Sequence, residues 1–365
     1  MNCSIKILFL SRNASDDNSA YTHRLKSLAR GLTDRGFRCD FFYMSDFTDT
    51  SHTMLPLYRS RLRQLFNRYH IIHAGGTPAA FAANLCKPFQ ARVFYDMHGD
   101  RIAEIQTESR LGKEVGPLPV LKAFTQELGA MGFSNHFLAV SGPLKHMTMS
   151  RGIKEERISI IRNGVNLSVF NAGPDRFNRV RKITYAGQFQ SYQAVNDLVA
   201  AARMWKGPSV VFTFIGFSQE ETAAKTSIRK DLGNGVCLTD RMSQADLVKR
   251  LKESDILVIP RRSSRVTRIA FPTKFAEFIA LGKPVLVSDV DETADFVTRY
   301  QCGMVYHQPS ALGEVLMRMV KMSDMELQAM GRRGRRLAEK VFNWDSITLN
   351  YERLILQSCG HRFEN

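Results

Sequence analysis

Lys274 and Glu277 stand three residues apart at the head of an apolar run, Pro272-Thr273-Lys274-Phe275-Ala276-Glu277-Phe278-Ile279-Ala280-Leu281-Gly282. Phe275, Ala276, Phe278, Ile279 and Ala280 surround the carboxylate with apolar side chains, so it needs a partner to hydrogen-bond. Pro272 suits the first position of a helix, and the free N–H groups that follow can receive a diphosphate oxygen. Lys274 adds charge there without fixed geometry. Gly282 stops the helix, and a buried strand, Val285-Leu286-Val287, follows at once. The pattern suits an anionic, hydroxyl-bearing ligand, with Pro272, Thr273 and Lys274 on phosphate and Glu277 on hydroxyls. The plain alternatives are a first-turn glutamate that suits the helix dipole and a solvated lysine.

Asp96-Met97-His98-Gly99-Asp100 follows a predicted strand, which puts His98 at a carboxyl end, where α/β sheets bind ligands. Asp96 and Asp100 read as turn residues. Arg261, Arg262, Arg265, Arg268 and Lys274 fall in a window with no acid between Asp255 and Glu277, a second source of positive charge for a phosphate ligand. No spaced His/Cys cluster occurs, so no metal site is expected.

These residues need a scaffold, and the pattern supplies one twice. Ile5 to Ser11 reads as a buried strand and Tyr21 to Arg35 as a helix with Leu25, Leu28, Ala29 and Leu32 on one face. Strands follow at Cys39–Tyr43, 71–74, 92–96 and 137–141. Gly and Pro cluster at 171–175, a linker, and the alternation then restarts with strands at 182–186, 210–215, 256–259 and 285–287 and a helix at 194–203. Strands alternating with helices predict doubly wound parallel sheets, one in each of two domains. Phe342-Asn343-Trp344-Asp345 opens a last helix running to about Gln357.

The chain has 365 residues and a net charge of +16, with 22 basic and 14 acidic residues up to Ala172 and 29 and 21 after it. Each half therefore carries the same excess, which excludes a basic tail and predicts local anion-binding windows. A nucleic-acid role is not expected, because no aromatic-rich basic motif occurs. No apolar run approaches the roughly 18 residues of a membrane span. The six scattered cysteines lack a Cys-x-x-Cys pair and predict reduced thiols. The start shows no signal-peptide pattern, so a cytoplasmic chain is expected. Leu55, Tyr58, Leu62, Leu65, Phe66 and Tyr69 fall on one helical face among Arg59, Arg61, Arg63 and Arg68. That is either a peripheral helix on the inner face of an anionic membrane or a core helix with its arginines in solvent.

The 272–289 string resembles the nucleotide-sugar signature of retaining GT-B glycosyltransferases of family 4, in a sub-branch marked by proline-x-lysine. The resemblance implies an α/β GT-B architecture of two Rossmann-like, doubly wound domains facing a central cleft. It implies residues 1–172 as the acceptor domain, 181–342 as the nucleotide-sugar domain, and 343–365 as a helix crossing back to the first. Glu277 would hold the ribose hydroxyls. His98 would touch the donor sugar, positioning it ahead of any proton transfer. Gly187, Gln188 and Gln193 would line the diphosphate with Arg261, Arg268, Pro272, Thr273 and Lys274. Arg12, Asn13, Asn18 and Ser19 would lie on the acceptor side, and Arg162-Asn163-Gly164-Val165-Asn166 would form the hinge strand.

The chain departs from the commonest pattern in three places. Ile269 stands where a second glutamate is usual. Gln188 and Gln193 stand where an arginine and a lysine clamp the diphosphate. Ser19-Ala20 stand where paired glycines are frequent. The implied activity is retaining transfer from a nucleotide diphosphate sugar, itself a co-substrate with no cofactor, to a saccharide or lipid-linked saccharide. Front-side attack assisted by the leaving diphosphate is expected, since no obvious carboxylate nucleophile stands near His98. The departures motivate one alternative, a silent GT-B module partnering an active transferase.

Overall fold

The computed structural model describes residues 5–13, 19–47, 55–110, 116–173, 177–205, 210–218 and 221–360. It divides into two α/β units, Met1–Asn163 with Trp344–Asn365, and Gly164–Asn343. The division falls at Asn163, inside the expected hinge strand and ahead of the 171–175 linker, of which 174 and 175 lie outside the described residues.

The first unit holds a six-stranded parallel sheet. Its strands are β1 (Lys6–Ser11), β2 (Arg38–Tyr43), β3 (Ile71–Gly75), β4 (Arg92–Met97), β5 (His136–Ala139) and β6 (Ile158–Ile160). They lie in the order β2-β1-β3-β4-β5-β6. The chain winds outward from β1 to β2 and then reverses to β3, so the topological switch lies between β1 and β3. Helix Ala20–Thr33 buries Leu25, Leu28, Ala29 and Leu32 as its periodicity requires. The last helix, Trp344–Gly360, packs on it and carries Ile347, Tyr351 and Ile355 into the same core.

The second unit repeats the design with β7 (Arg181–Ala186), β8 (Val210–Phe217), β9 (Val236–Asp240), β10 (Ile256–Ile259), β11 (Val285–Ser288) and β12 (Gly303–Tyr306). The order is β12-β11-β10-β7-β8-β9, all parallel, with the switch between β7 and β10. Helix Thr273–Ala280 buries Phe275, Ala276, Phe278, Ile279 and Ala280 against this unit. Each of those phenylalanines contributes about 1.5–3 kcal/mol. Such burial over nearly the whole circumference fixes the helix and leaves a strip with Thr273, Lys274 and Glu277 partly open. Leu281 caps it and Gly282, at φ +71°, ends it.

In helix Leu55–Phe66 the described side chains accord with the core-helix reading and leave the membrane reading untested. Leu62 and Phe66 are buried, while Arg61, Arg63 and Arg68 point to solvent. That is the pattern of a core helix. The side chains of Leu55, Tyr58 and Arg59 lie outside the described residues.

Candidate active site

The carboxyl ends of β7 and β10 gather most of the sequence-predicted donor residues. Gly187 follows β7 at φ +147°, and a Cβ there would come within 2.1 Å of Lys274 Nζ. The positive φ favours glycine, and a side chain there would displace the Lys274 ammonium from its place beside the backbone. Gly216, at φ +117°, is equally constrained, since its Cβ would meet Gly187 O at 2.6 Å. Tyr185 Oη donates to the carbonyl of Gln188, and Glu221 accepts from the N–H of Phe189 at 3.1 Å and of Ser218 at 2.7 Å. One carboxylate thereby ties the loop after β7 to the loop after β8. Lys274 Nζ sits 4.7 Å from the Tyr185 ring centroid and 3.5 Å from Gln193 Oε1. The structure brings Gly187, Gln193 and Lys274 together. The Gln188 side chain is exposed, and its carbonyl makes the fold contact.

Pro272 is the N-cap of the helix, not its first residue, because its ψ of 121° is extended. Thr273 takes the first position, and no side chain caps the helix; the N–H of Phe275 donates to Pro272 O at 3.1 Å, and those of Thr273 and Lys274 keep their capacity for an anion. One turn on, the Glu277 carboxylate accepts no hydrogen bond from the described residues. Burial pushes Glu277 up to about 7 against the opposing pull of Lys274. Burial, then the nearby Arg261, brings Lys274 down to about 7. A desolvated acid–base pair at a helix N-terminus, its lysine held only by the long contact to Gln193 and the Tyr185 ring, is prepared for a ligand that carries both phosphate and hydroxyls.

The arginine window behaves differently from the sequence expectation. Arg261 is buried, its Nη1 pairs with Asp291, and its backbone N–H donates to Ser288 Oγ at 3.1 Å. Arg268 is exposed and donates from Nε to Ser263 Oγ at 3.0 Å, while Arg262 pairs with Asp197 at 3.0 Å. Arg261 and Arg268 are thus each engaged with a protein partner, with Arg261 Nε buried and without a hydrogen bond. Arg261 acts on the site as a charge behind Lys274. Ile269, at the position of the usual second glutamate, is buried.

In the first unit, His98 follows β4 as expected, with Nε2 3.3 Å from Asp96 Oδ2 and its ring edge-on to Tyr21 at 5.0 Å. Asp96 is no turn residue. It lies within β4, fully buried, and takes two bonds from Arg24, Nε to Oδ2 at 2.9 Å and Nη2 to Oδ1 at 2.8 Å. His73 Nε2 lies 3.2 Å from the same carboxylate, and Tyr351 Oη is 2.7 Å from His73 Nδ1. Burial raises the Asp96 carboxyl, but Arg24, His98 and His73 together outweigh it and hold it well below the usual range. Asp100 caps helix Arg101–Arg110 through the N–H groups of Ile102 and Ala103, both at 3.1 Å, and pairs with Arg151 at 2.8 Å.

Sequence reasoning passed over Arg24, although it sits four residues before Leu28 on the apolar face. It also passed over Glu221, Asp291 and the His73–Tyr351 pair, whose partners are far apart in the chain.

Of the acceptor-side residues, Arg12 and Asn13 follow β1, with the Asn13 N–H donating to Ser11 Oγ at 3.2 Å. Ser19 is the N-cap of helix Ala20–Thr33, accepting from the Thr22 N–H at 3.3 Å. Asn18 lies outside the described residues. Tyr21 Oη donates to Gly75 O at 2.6 Å, and a Cβ on Gly75 would overlap that hydroxyl. Among the described residues no group of three His, Cys, Asp or Glu could hold a metal.

Two sheets of this topology, each with its polar residues at the carboxyl ends of the central strands, define the GT-B fold. Residues 22–169 match the model of Glycosyltransferase Family 4, and residues 173–337 match that of Glycosyl transferases group 1. The protein is a glycosyltransferase, with a family 4 domain followed by a group 1 domain. None of the curated proteins matches the sequence significantly.

Solved structures share the fold at low identity. Sucrose-phosphate synthase from Thermosynechococcus elongatus is 16% identical, with a TM-score of 0.79 over 98% of this chain and 100% of that one. HepE from Anabaena, in complex with UDP and glucose, is 15% identical, with a TM-score of 0.73 over 96% and 99%. The lipopolysaccharide outer core galactosyltransferase WaaB is 17% identical, with a TM-score of 0.67 over 97% and 100%.

Proposed function

We propose that the protein transfers a sugar, with retention of configuration, from a nucleoside diphosphate sugar to a saccharide or lipid-linked saccharide. The observation that carries this reading is the desolvated Lys274–Glu277 pair on an uncapped helix N-terminus beside the Gly187 loop. The diphosphate oxygens take the opening N–H groups of the helix and the Lys274 ammonium, and the ribose hydroxyls donate to Glu277. Uridine diphosphate is the first donor nucleotide to try, because HepE was solved with UDP-glucose and TarM with UDP and alpha-GlcNAc-glycerol.

In the chemical step the bond from the sugar anomeric carbon to the β-phosphate oxygen breaks. The acceptor oxygen bonds to that carbon on the same face, and its proton passes to the departing diphosphate. Lys274 and the helix dipole stabilise the charge that builds on the leaving group. Arg12, Asn13 and Ser19 belong to the acceptor side of this reading, and His98 to sugar positioning. The reading calls for no cofactor and no metal.

Thermal denaturation with a series of nucleoside diphosphates, followed by turnover of the matching sugars in the presence of chelator, tests it. Protection by one nucleotide and a product that keeps the donor's anomeric configuration by NMR are expected. Protection without turnover of any sugar would favour the silent module suggested by Ile269, Gln188 and Gln193.

A further inference from the structure

Helix Pro117–Phe133 of the first unit is turned inside out. It buries Ala123, Glu127, Ala130 and Met131. The Glu127 carboxylate accepts from Thr77 Oγ1 at 2.9 Å and pairs with Arg151 at 3.0 Å. Outward it presents Leu118, Leu121, Phe124, Leu128 and Phe133, exposed by 76, 62, 50, 58 and 68%. The first four recur at spacings of three, three and four, one stripe of a helix. Lys87 Nζ donates to Phe133 O at 2.5 Å, which sets the corner with exposed Leu85 and Phe89 beside the carboxyl end of the stripe. A continuous apolar face of this kind marks a surface that something else covers.

Charge selects the occupant. Residues 50–95 and 116–154 supply this helix, helix Gly76–Cys86 that packs on it, and helix Leu55–Phe66 that packs on that. Across those residues ten cations stand with a single acid, the buried Glu127. Arg151 is taken by Asp100 and Glu127 and Lys145 by Glu155, and helix Arg101–Arg110, which also packs on this helix, adds Glu104. Arg61, Arg63, Arg68 and Lys122 are exposed. A second copy meeting the same face would bring two basic rims together, whereas anionic headgroups would neutralise them.

We propose that this face docks on an anionic lipid surface, with Pro117–Phe133 in the interfacial plane and its leucines and phenylalanines among the acyl chains. The membrane contact expected of the arginine helix thus moves to its apolar neighbour, with the arginines as a basic flank. The inference deepens the proposed reading, since a lipid-linked acceptor resides in such a surface, but its test involves no sugar transfer.

Flotation of the full chain with phosphatidylcholine vesicles, with and without about 30% phosphatidylglycerol, decides it. The wild type should float with anionic vesicles at least about tenfold better than with neutral ones, and raised salt should release part of it. The triple variant L121Q/F124Q/L128Q should lose at least about tenfold of that recovery while keeping its circular dichroism and melting temperature, because all three side chains are exposed. R61Q/R63Q/R68Q should lower recovery on anionic vesicles alone. Several outcomes overturn the proposal: no flotation of the wild type, equal recovery on neutral vesicles, or full recovery of the triple variant. A dimer seen by light scattering that the triple variant abolishes, without vesicle binding, would assign the face to a second copy. Nucleotide protection read in parallel keeps a failure of the donor assignment distinct from a failure of docking.

Discussion

Lys274 and Glu277 lie one turn apart on the open strip of a helix buried on its other sides, and burial drives them to the same pKa from opposite directions. Glu277 rises from 4.5 to about 7 and Lys274 falls from 10.5 to about 7. The site therefore holds a pair that titrates near neutrality; in the proposed reading the diphosphate favours charged Lys274 and the ribose hydroxyls charged Glu277.

Nucleotide affinity should peak near neutrality. Below it Glu277 protonates and ceases to accept from hydroxyls, and above it Lys274 loses the charge that attracts diphosphate. Titrations between about pH 5 and 9 should show Glu277→Gln without the acid-side fall and Lys274→Met without the alkaline one. Without ligand, linkage gives the opposite shape for stability. Glu277 holds its proton more tightly when folded, so stability falls as pH rises from 4.5 to about 7. Lys274 holds its proton less tightly when folded, so stability climbs again from about 7 to 10.5. Melting curves across that range, with and without nucleotide, check both signs.

Arg24→Met should destabilise the first unit severely. It removes both bonds to Asp96 and those to Ile161 O and Arg162 O, at 2.8 and 2.7 Å, and leaves a carboxylate buried among weaker partners. Breaking a buried pair from one side costs about 3–5 kcal/mol. Urea unfolding should register a loss of that order. A change below about 1 kcal/mol would mean that His73 and His98 suffice to hold the charge.

The strands of both sheets were legible because strands covered on both faces read as apolar runs, as Ile256–Ile259 and Val285-Leu286-Val287 do. The strands that escaped notice, Ile158–Ile160, Val236–Asp240 and Gly303–Tyr306, are edge strands with mixed burial and offer no such run. Glu277 and Lys274 were legible because local sequence alone places a charge in apolar company. Arg24 and Asp96 were not, since each reads as an ordinary surface or turn residue until the fold brings them together across 72 positions. Helix Pro117–Phe133 marks a sharper limit. Periodicity shows that a helix has an apolar stripe, not which way the stripe faces, and here Glu127 and Arg151 turn it outward.

His98→Ala should lower turnover more than it weakens nucleotide binding. The ring is held by Tyr21 and Asp96 at the end of β4 and belongs to the sugar side of the reaction in the proposed reading. Steady-state kinetics with a nucleotide competitor separates the two effects. Equal losses in rate and in nucleotide affinity would place His98 in the nucleotide pocket.

Calorimetric titration of the protecting nucleoside diphosphate and its 2′,3′-dideoxy analogue into wild type and Glu277→Ala tests the central claim most directly. Charge-assisted hydrogen bonds to two hydroxyls, at about 1.5–3 kcal/mol each, predict at least a tenfold loss of affinity for the nucleotide in Glu277→Ala. The analogue should bind the wild type as weakly, and the variant should no longer distinguish the two ligands. Unchanged affinity in Glu277→Ala, or a variant that still prefers the hydroxylated ligand by the wild-type ratio, would contradict the assignment.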